Sequence, residues 1–230
     1  MSFMKNLIHY SFLLVLALAL VACGEKPAGE KAETGEAAEA AAATPDEAQT
    51  MKVSTTDSQV LWVGSKPTGT HNGSIKLSNG QLGVDGDNLV SGEFELDMNS
   101  IAVIDLKAGE GKEDLEEHLK GLVDEKAAHF FNVRKYPTAK FVITKVEAIP
   151  AGGNATHNIT GNLTLKDQTK SITFPANVAM VDGQISATTP SFKINRTEWG
   201  INFMSKSVFD DLKDKFIDDD IALSISLKAS

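Results

Sequence analysis

The sequence predicts an all-β domain, and three observations support that prediction. Apolar and polar residues alternate with a period of two over many short stretches, which is typical of half-buried antiparallel strands. Pairs of turn-forming residues separate these stretches. Only two segments have the spacing of an amphipathic helix instead. Strands with one apolar face each must pair as a sandwich or close into a barrel, and closure at about eight strands leaves room for one small ligand.

The strands can be placed in order along the chain. The predicted strands are residues 60–64, 73–78, 89–98, 140–149, 156–166, 171–180, 184–189, 191–195 and 221–229. In four of them the alternation assigns these residues to the core face: Val90, Phe94, Leu96 and Met98; Ile159, Leu163 and Leu165; Ile172, Phe174, Val178 and Met180; and Ile221, Leu223, Ile225 and Leu227. The predicted turns are Asn79-Gly80, Asp85-Gly86, Gly152-Gly153 and Asp182-Gly183.

Two stretches interrupt the β pattern and predict short helices at the barrel mouth. Residues 112–122 place Leu115, Leu119 and Leu122 on one helical face and end near Gly121. Residues 207–217 do the same with Phe209, Leu212 and Phe216.

The N-terminus predicts export and lipid attachment. Lys5 precedes an apolar run over residues 7–21, which is the layout of a signal peptide and is short for a membrane-spanning helix. The run ends in Leu20-Val21-Ala22-Cys23, which matches the bacterial lipobox, and Cys23 is the only cysteine. We therefore expect a signal peptide over residues 1–22 and an acylated Cys23 that anchors the protein to the membrane. Because Gly24 follows rather than an acidic residue, similarity to other lipoproteins favours the outer membrane, facing the periplasm.

Composition divides the rest of the chain and excludes some partners. Residues 23–50 are rich in Ala, Glu, Gly and Lys and predict a disordered tether, whereas residues 51–230 suit a single domain with a sizeable core. Without residues 1–22 the net charge is 21 − 31 = −10. A surface this acidic argues against binding to nucleic acid.

Signals for catalysis and for metal binding are weak. The sequence contains neither a G-x-S-x-G nor an H-E-x-x-H motif, and acylation would remove its only thiol, so we do not expect an enzyme. The five histidines lack the i, i+2 or i, i+4 spacing of metal ligands, although His118 and His129 could converge in space, and no metal site is predicted. The acidic runs Asp210-Asp211 and Asp218-Asp219-Asp220 are interpreted as solvated turns or helix ends.

Several motifs in the correct order resemble the YceI-like family of polyisoprenoid-binding proteins. They are His118-Leu119, His129-Phe130-Phe131-Asn132 with Tyr136-Pro137, Gly161-Asn162-Leu163-Thr164 through Thr169-Lys170, and Arg196-Thr197-Glu198-Trp199-Gly200. The chain departs from the family pattern at His129 and Asn132, where acidic residues are common, and in the inserted LVDEKA. The resemblance implies an eight-stranded, lipocalin-like antiparallel β-barrel whose apolar lumen holds an isoprenoid chain. It implies no cofactor, but a bound isoprenoid quinone or prenyl lipid as ligand.

Aromatic and long apolar side chains on the predicted strands and loops are the candidate ligand contacts, because a dry, apolar lumen is sufficient to bind such a chain. They are Trp62, Phe94, Met98, Phe130, Phe131, Phe141, Ile143, Phe174, Met180, Phe192, Trp199 and Phe203. For each residue taken alone, ordinary core packing is an equally good interpretation.

Polar side chains near the mouth are candidates for binding a ligand headgroup. They are His71, His118, His129, Arg134 and Arg196. Arg196 is also interpreted as a structural anchor that pairs with Glu198. The predicted function is thus a lipid-anchored envelope carrier or store for a polyisoprenoid, or a fatty amphiphile like it. The alternative is an envelope stress or assembly module that binds a protein partner through its loops, and a second copy of the chain is a further candidate partner.

Overall fold

The computed structural model describes residues 28–39, 48–150 and 153–230. The predicted signal peptide and Cys23 lie outside the described residues. Within the described ranges, no helix combines the length and the apolar character needed to cross a membrane.

Eight strands form a closed antiparallel ring. The described residues contain thirteen strands in all: β1 (Glu30–Lys31), β2 (Glu33–Glu36), β3 (Gln49–Lys52), β4 (Gln59–Lys66), β5 (Gly69–Asp85), β6 (Asn88–Asp97), β7 (Ala102–Val103), β8 (Thr138–Ala148), β9 (His157–Leu165), β10 (Gln168–Val181), β11 (Gln184–Thr188), β12 (Phe192–Asn195) and β13 (Asp220–Ala229). They also contain one α-helix, α1 (Lys112–Lys120). The ring runs β4-β5-β6-β8-β9-β10-β11-β13 and returns to β4. Every neighbouring pair in it is antiparallel. The predicted eight-stranded antiparallel architecture is confirmed.

Period-two alternation sets the inner face of most strands, with one local exception. In β9 the buried residues Ile159, Leu163 and Leu165 are those that the pattern assigns to the core. In β6, however, Leu89 is buried instead of the predicted Val90. The pairing with β5 shifts by one residue beside Val90, and such a bulge moves the residues before it to the opposite face.

Asn79-Gly80 is not the predicted turn but lies inside the 17-residue strand β5. The first part of β5 pairs with β4 and its later part with β3 and β6, so the strand continues through a bulge next to Asn79 rather than reversing. Gly80 serves close packing here, because a Cβ would lie 2.8 Å from the Cβ of Phe94. The turns predicted at Asp85-Gly86 and Asp182-Gly183 are both present, whereas Gly152 lies outside the described residues.

The first predicted helix is correct and the second is wrong. Helix α1 ends at Gly121, whose φ of 69° gives it the left-handed conformation that favours glycine at a helix end. Residues 207–217 instead form turns, with only a short 3-10 segment at Lys213–Lys215. The backbone there cannot continue a helix, because Asp211 and Lys213 have positive φ values of 65° and 49°.

The predicted disordered tether is also wrong for the part that the structure describes. Residues 28–38, which we call the N-terminal strap, lie along the wall of the ring: β1 pairs in parallel with β12, and β2 pairs antiparallel with β10. The prediction was based on the side chains of this segment alone, which form no apolar face that could pack on the domain. Strands β10 and β12 each offer an open backbone edge, and pairing with such an edge needs no apolar side chains.

Several specific contacts hold the strap. The Ala32 amide donates to the Lys193 carbonyl at 2.8 Å, and Ala32 is only 6% exposed. Asn162 accepts from the Ala38 amide at 3.0 Å and donates to the Ala38 carbonyl at 2.7 Å. Lys170 pairs with Glu36 at 2.8 Å. The strap therefore covers the gap between β10 and β12.

Candidate functional site

A cavity of about 300 Å³ occupies one end of the ring's interior. Strands β4, β6, β9 and β13 supply much of its wall through inward side chains, including Trp62, Leu96, Leu163 and Leu223. The tip of the β4-β5 hairpin, with Lys66 and Gly69, forms part of the rim. We call this end of the ring the mouth half and the other end the closed half.

Helix α1 and the loop after it cover the cavity. Leu115 and Leu119 of α1 line it, as do Phe130 and Phe131. The Phe131 amide donates to the Leu119 carbonyl at 3.2 Å and the Val133 amide to the Lys120 carbonyl at 2.9 Å, so the loop is tied to the end of the helix. The predicted placement of a helix at the mouth therefore matches the structure.

Four phenylalanines separate the mouth half from the closed half. The ring centroids lie 5.4 Å apart for Phe94 and Phe141, 5.5 Å for Phe141 and Phe174, and 4.5 Å for Phe174 and Phe192. All four side chains are buried. Gly161 makes room for this phenylalanine layer, because a Cβ there would lie 2.3 Å from the Phe141 ring. None of the four rings lines the cavity, whose wall includes Leu96 and Ile194, two positions away from Phe94 and Phe192 on the same strands.

The twelve predicted ligand contacts fall into three groups. Trp62, Met98, Phe130 and Phe131 line the cavity. Phe94, Phe141, Phe174 and Phe192 form the phenylalanine layer. The other four lie elsewhere. Ile143 and Met180 are in the closed half. Trp199 is fully buried, and its Nε1 donates to the Leu163 carbonyl at 2.9 Å. Phe203 stacks on His129, with ring centroids 3.9 Å apart. Ligand contact remains a prediction for all of them.

The prediction missed the aliphatic part of the wall. The cavity is also lined by Val60, Ile75, Ile101, Leu115, Leu119, Ile194, Ile201, Ile217, Ile221 and Leu223. The strand alternation already placed Ile221 and Leu223 on an inner face, so the pattern contained a signal for them. At the other positions, the sequence does not show whether the side chain lines a cavity or packs against its neighbours.

His118 and His129 meet at the mouth, as the sequence allowed. His118 lines the cavity, and its Nε2 lies 2.9 Å from Nδ1 of His129, so one of the two nitrogens donates to the other. The Phe203 ring stacks on His129 and meets His118 edge-on. Burial lowers the pKa of His118, and the neighbouring His129 and Lys126 lower it further.

Arg196 is a structural anchor below the rim, but its partners are not the predicted Glu198. Its guanidinium donates to the carbonyls of Ile201, Ile217 and Asp218 at 2.6, 3.0 and 3.1 Å, and its Nη2 lies 3.5 Å from Oδ1 of Asp219. Asp218 and Asp219 are therefore not simply solvated: each also accepts a hydrogen bond from a serine, Ser65 and Ser207 respectively. Burial lowers the pKa of Arg196, and Asp219 and Asp218 counteract that effect.

The other two predicted headgroup residues lie in different settings. His71 lines the cavity and its Nδ1 lies 2.8 Å from Oδ2 of Asp105. Burial by itself raises the pKa of Asp105, but hydrogen bonds from the Asn72 amide and His71 outweigh it and leave that pKa lowered. Arg134 is away from the cavity wall, where it pairs with Asp124 at 2.6 Å on the surface.

One polar atom of the cavity wall has no partner. Trp62 is only 9% exposed, and its indole Nε1 is buried. Among the described residues, no acceptor forms a hydrogen bond with this Nε1. Unpaired buried donors are rare and costly, which makes this N–H available to an acceptor that enters the cavity. In the same described ranges, no three His, Cys, Asp or Glu side chains are grouped as they would be to hold a metal ion.

Known proteins share parts of this sequence and the overall fold. The model of the YceI-like domain matches residues 51–229. A UPF0312 protein of Pseudomonas putida strain W619 is 48% identical over 50 residues, which are 22% of this chain and 24% of that protein. Burkholderia cenocepacia BcnA superposes with a TM-score of 0.56 at 24% identity, over 77% of this chain and 99% of BcnA. A polyisoprenoid binding domain from Saccharophagus degradans superposes with a TM-score of 0.52 at 13% identity, over 78% of this chain and 97% of that domain. The two structures establish the fold.

Proposed function

This chain belongs to the YceI-like family, and from that membership and its cavity we propose that it binds a polyisoprenoid or a similar amphiphile, as a carrier or store. The observation that supports the proposal best is the cavity of about 300 Å³ in the mouth half, because its wall is almost entirely apolar. Pockets of this size and character are typical of small-molecule sites. One structural neighbour, from Saccharophagus degradans, is a polyisoprenoid binding domain, which is consistent with such a ligand.

The wall chemistry suits an apolar chain that carries an oxygen. Each methylene buried in the cavity contributes about 0.8 kcal/mol before the entropic cost of binding is subtracted. The unpaired N–H of Trp62 would donate to a carbonyl or hydroxyl oxygen of the ligand. We propose binding rather than catalysis, since the polar groups of Arg196 and His71 are already committed to Asp219 and Asp105.

Blocking the cavity tests this proposal. Leu223→Trp places a larger side chain in the wall of the cavity, whereas Leu61→Trp on the neighbouring strand makes the same change at a residue that is 39% exposed and does not line the cavity. We expect organic extraction and mass spectrometry to find a co-purified amphiphile with the native protein and with Leu61→Trp, and little with Leu223→Trp. The absence of any apolar ligand in all three proteins would contradict the proposal, and so would equal loading of the two variants.

We further propose that Cys23 is acylated and holds the protein at the outer membrane, facing the periplasm. The docked strap shortens the connection, because only residues 24–27 separate Cys23 from Ala28, the first described residue. Five Cα–Cα steps span at most about 18 Å, so the ring would stay next to the bilayer from which a water-insoluble ligand is drawn. Labelling of cells with a radioactive fatty acid should mark the native protein and leave Cys23→Ser unlabelled. Equal labelling of both would contradict acylation at this residue.

A second candidate function is the binding of a protein partner through the loops of the mouth half. Two adjacent apolar side chains favour it: Val208 and Phe209 are 47% and 49% exposed. A photo-crosslinking residue at position 209 should then capture one specific envelope protein in cells, and the capture should be lost when Val208 becomes Ser. Crosslinking to no protein, together with a ligand in the cavity, would eliminate this candidate.

A further inference from the structure

A loop over residues 205–216, which we call the rim loop, lies beside the cavity. The Ile217 amide donates to the Met204 carbonyl at 2.9 Å, so the two ends of the loop meet. Ile217 lines the cavity, and its carbonyl accepts from Arg196 at 3.0 Å. Ser205, at the start of the loop, is fully buried. The rim loop is therefore a compact Ω-type loop with a fixed base at the mouth.

The tip of the rim loop exposes two adjacent apolar side chains. Val208 and Phe209 are 47% and 49% exposed. Their amides donate to the Ser205 carbonyl at 3.3 and 2.9 Å, which holds both residues in a turn. Leu212 and Phe216 of the same loop are only half-buried. Exposed apolar side chains that are grouped in this way mark a surface that contacts another protein or a membrane.

A third exposed apolar side chain lies in the mouth half. Ile104 is 58% exposed, and its amide donates to the Asn72 carbonyl at 2.9 Å. The next residue, Asp105, contacts His71, which lines the cavity. At the closed end, Val181 is the single large exposed apolar side chain that the described residues contribute. Exposed apolar surface is thus concentrated around the mouth.

The charges of the rim loop cancel, although the chain as a whole is acidic. The loop contains three lysines and three aspartates, which are Lys206, Lys213, Lys215, Asp210, Asp211 and Asp214. The whole chain has a formal net charge of −9, which repels an anionic surface. The loop therefore suits an uncharged, zwitterionic bilayer, into which its apolar tip could insert while its lysines remain in water.

The N-terminal strap connects the anchor to the side of the ring where the rim loop ends. Strand β1 pairs with β12, which pairs with β13, the strand that follows the loop. Lys31 lies 3.7 Å from Asp220, three residues after Ile217. Eight Cα–Cα steps join Lys31 to Cys23, and they span at most about 29 Å. A bilayer that holds an acylated Cys23 is thus always within reach of the loop, unlike a freely diffusing protein partner.

We propose that the rim loop docks on a zwitterionic lipid bilayer, with Val208 and Phe209 inserted and the cavity mouth held against the membrane surface. Docking goes beyond the proposed function, but its use rests on that function, because an amphiphile then passes from the bilayer to the cavity without crossing water. Each methylene that enters water on the way would slow the passage about fourfold.

Fluorescence quenching from within the bilayer tests the docking. The protein is purified from membranes and reconstituted in phosphatidylcholine vesicles, in which some lipids carry a nitroxide high on one acyl chain. A nitrobenzoxadiazole label on Asp210→Cys reports on the tip of the rim loop. The same label on Gln184→Cys, an exposed position after the β10-β11 turn, reports on the closed end. We expect the nitroxide lipid to quench the label at 210 roughly threefold more than the label at 184, because only the tip enters the bilayer.

A pair of variants separates the apolar tip from exposed apolar residues in general. Val208→Ser combined with Phe209→Ser should reduce the quenching at 210 to the level at 184. Val181→Ser is the matched control, because it removes a side chain that is 62% exposed at the closed end, and it should change nothing. The double variant should also extract farnesol from the vesicles about fourfold more slowly or worse. The amount bound at equilibrium should stay the same, since neither Val208 nor Phe209 lines the cavity.

Two results would overturn the docking. One is equal quenching at positions 210 and 184, and the other is native quenching in the double variant. A photo-crosslinking residue at position 210 should form adducts with phospholipid in cells. Adducts with one protein and none with phospholipid would also overturn the docking, and they would make the loop a site for a protein partner.

Failure of the other proposals is seen separately. Mass spectrometry of the N-terminal peptide shows whether Cys23 is acylated, and if it is free, the same two labels on Cys23→Ser forms in lipid excess still decide the docking. If the native protein takes up no farnesol while the label at 210 is quenched, the proposed function fails and the docking stands.

Discussion

The mouth half and the closed half of the ring are built from the same strands but have different interiors. In the mouth half, inward side chains such as Leu96 and Ile194 surround a cavity of about 300 Å³. At the boundary with the closed half, Phe94 and Phe192 on the same two strands pack against other aromatic rings. The size of the inward side chain and the number of rings that meet at one level decide whether the lumen is open or filled.

One pattern of alternation serves two purposes in this ring. Both halves obey the same rule, apolar inward and polar outward, and both contribute to stability. The mouth half leaves a large, mainly apolar wall without a packing partner, which lowers its own stability but provides a place for an apolar chain. We expect substitutions to separate the two roles: those in the closed half should affect folding most, and those in the mouth half should affect binding most.

The largest effect on stability is expected from the phenylalanine layer. Phe174→Ala should lower the free energy of unfolding by about 3–5 kcal/mol, because the ring is buried and in contact with Phe141 and Phe192. Met98→Ala, in the cavity wall, should cost only about 2 kcal/mol, since that side chain already faces open space on one side. Urea unfolding followed by circular dichroism measures both. Equal costs would mean that the two halves are packed alike.

A second large effect is expected at the buried anchor of the mouth half. Arg196→Ala should lower the free energy of unfolding by about 3 kcal/mol, because three backbone carbonyls and Asp219 lose their donor. Arg134→Ala breaks an ion pair whose side chains are 59% and 86% exposed, and it should cost well under 1 kcal/mol. The same unfolding assay compares them. A small cost for Arg196→Ala would show that the rim does not depend on this residue.

The N-terminal strap allows a sharper and more local test. Gly29→Ala should release the strap, since Gly29 has a φ of 123° and a Cβ there would lie 2.5 Å from the Ser191 carbonyl oxygen. Hydrogen exchange at the Ala32 amide should then accelerate at least tenfold, which corresponds to about 1.4 kcal/mol. Gly35→Ala is the matched control, because nothing lies within 4 Å of its Cβ. Unchanged protection of Ala32 in Gly29→Ala would mean that the strap is held in another way.

The smallest effect is expected from the histidine pair. The pKa of His118 in the folded protein is lowered, so the unfolded chain binds more protons in the range between the folded pKa and the ordinary value of 6.5. Its contribution to stability is therefore present above about pH 6.5 and is lost as the pH falls through the folded pKa. In His129→Gln, the pKa of His118 measured by NMR should rise towards its ordinary value but stay below it, because burial is the larger cause. A pKa that does not move would exclude His129 as a contributor.

The sequence predicted the ring better than its interior. Alternation and turn pairs placed most strands, because both are local properties, as for Ile159 and Asp182-Gly183. Prediction from the sequence failed where pairing with distant strands decides the local structure. Asn79-Gly80 stays in a strand that has partners on both sides. The strap pairs through its backbone despite its polar side chains. For the site, the sequence predicted Trp62 and Met98, which line the cavity, together with Phe94 and Phe192, which do not. The size and polarity of a side chain do not show whether it lines a cavity or packs against its neighbours.

The central claim is that the mouth half binds the ligand, and the most direct test is to find which residues a ligand contacts. Met98 lines the cavity, whereas Met51 and Met180 lie on β3 and at the far end of β10. In a titration of the protein with farnesol followed by methionine-methyl NMR, we expect the Met98 signal to shift with saturation at one equivalent while those of Met51 and Met180 stay in place. A shift at Met51 or Met180 with an unchanged Met98 would place the ligand outside the mouth half and contradict the account.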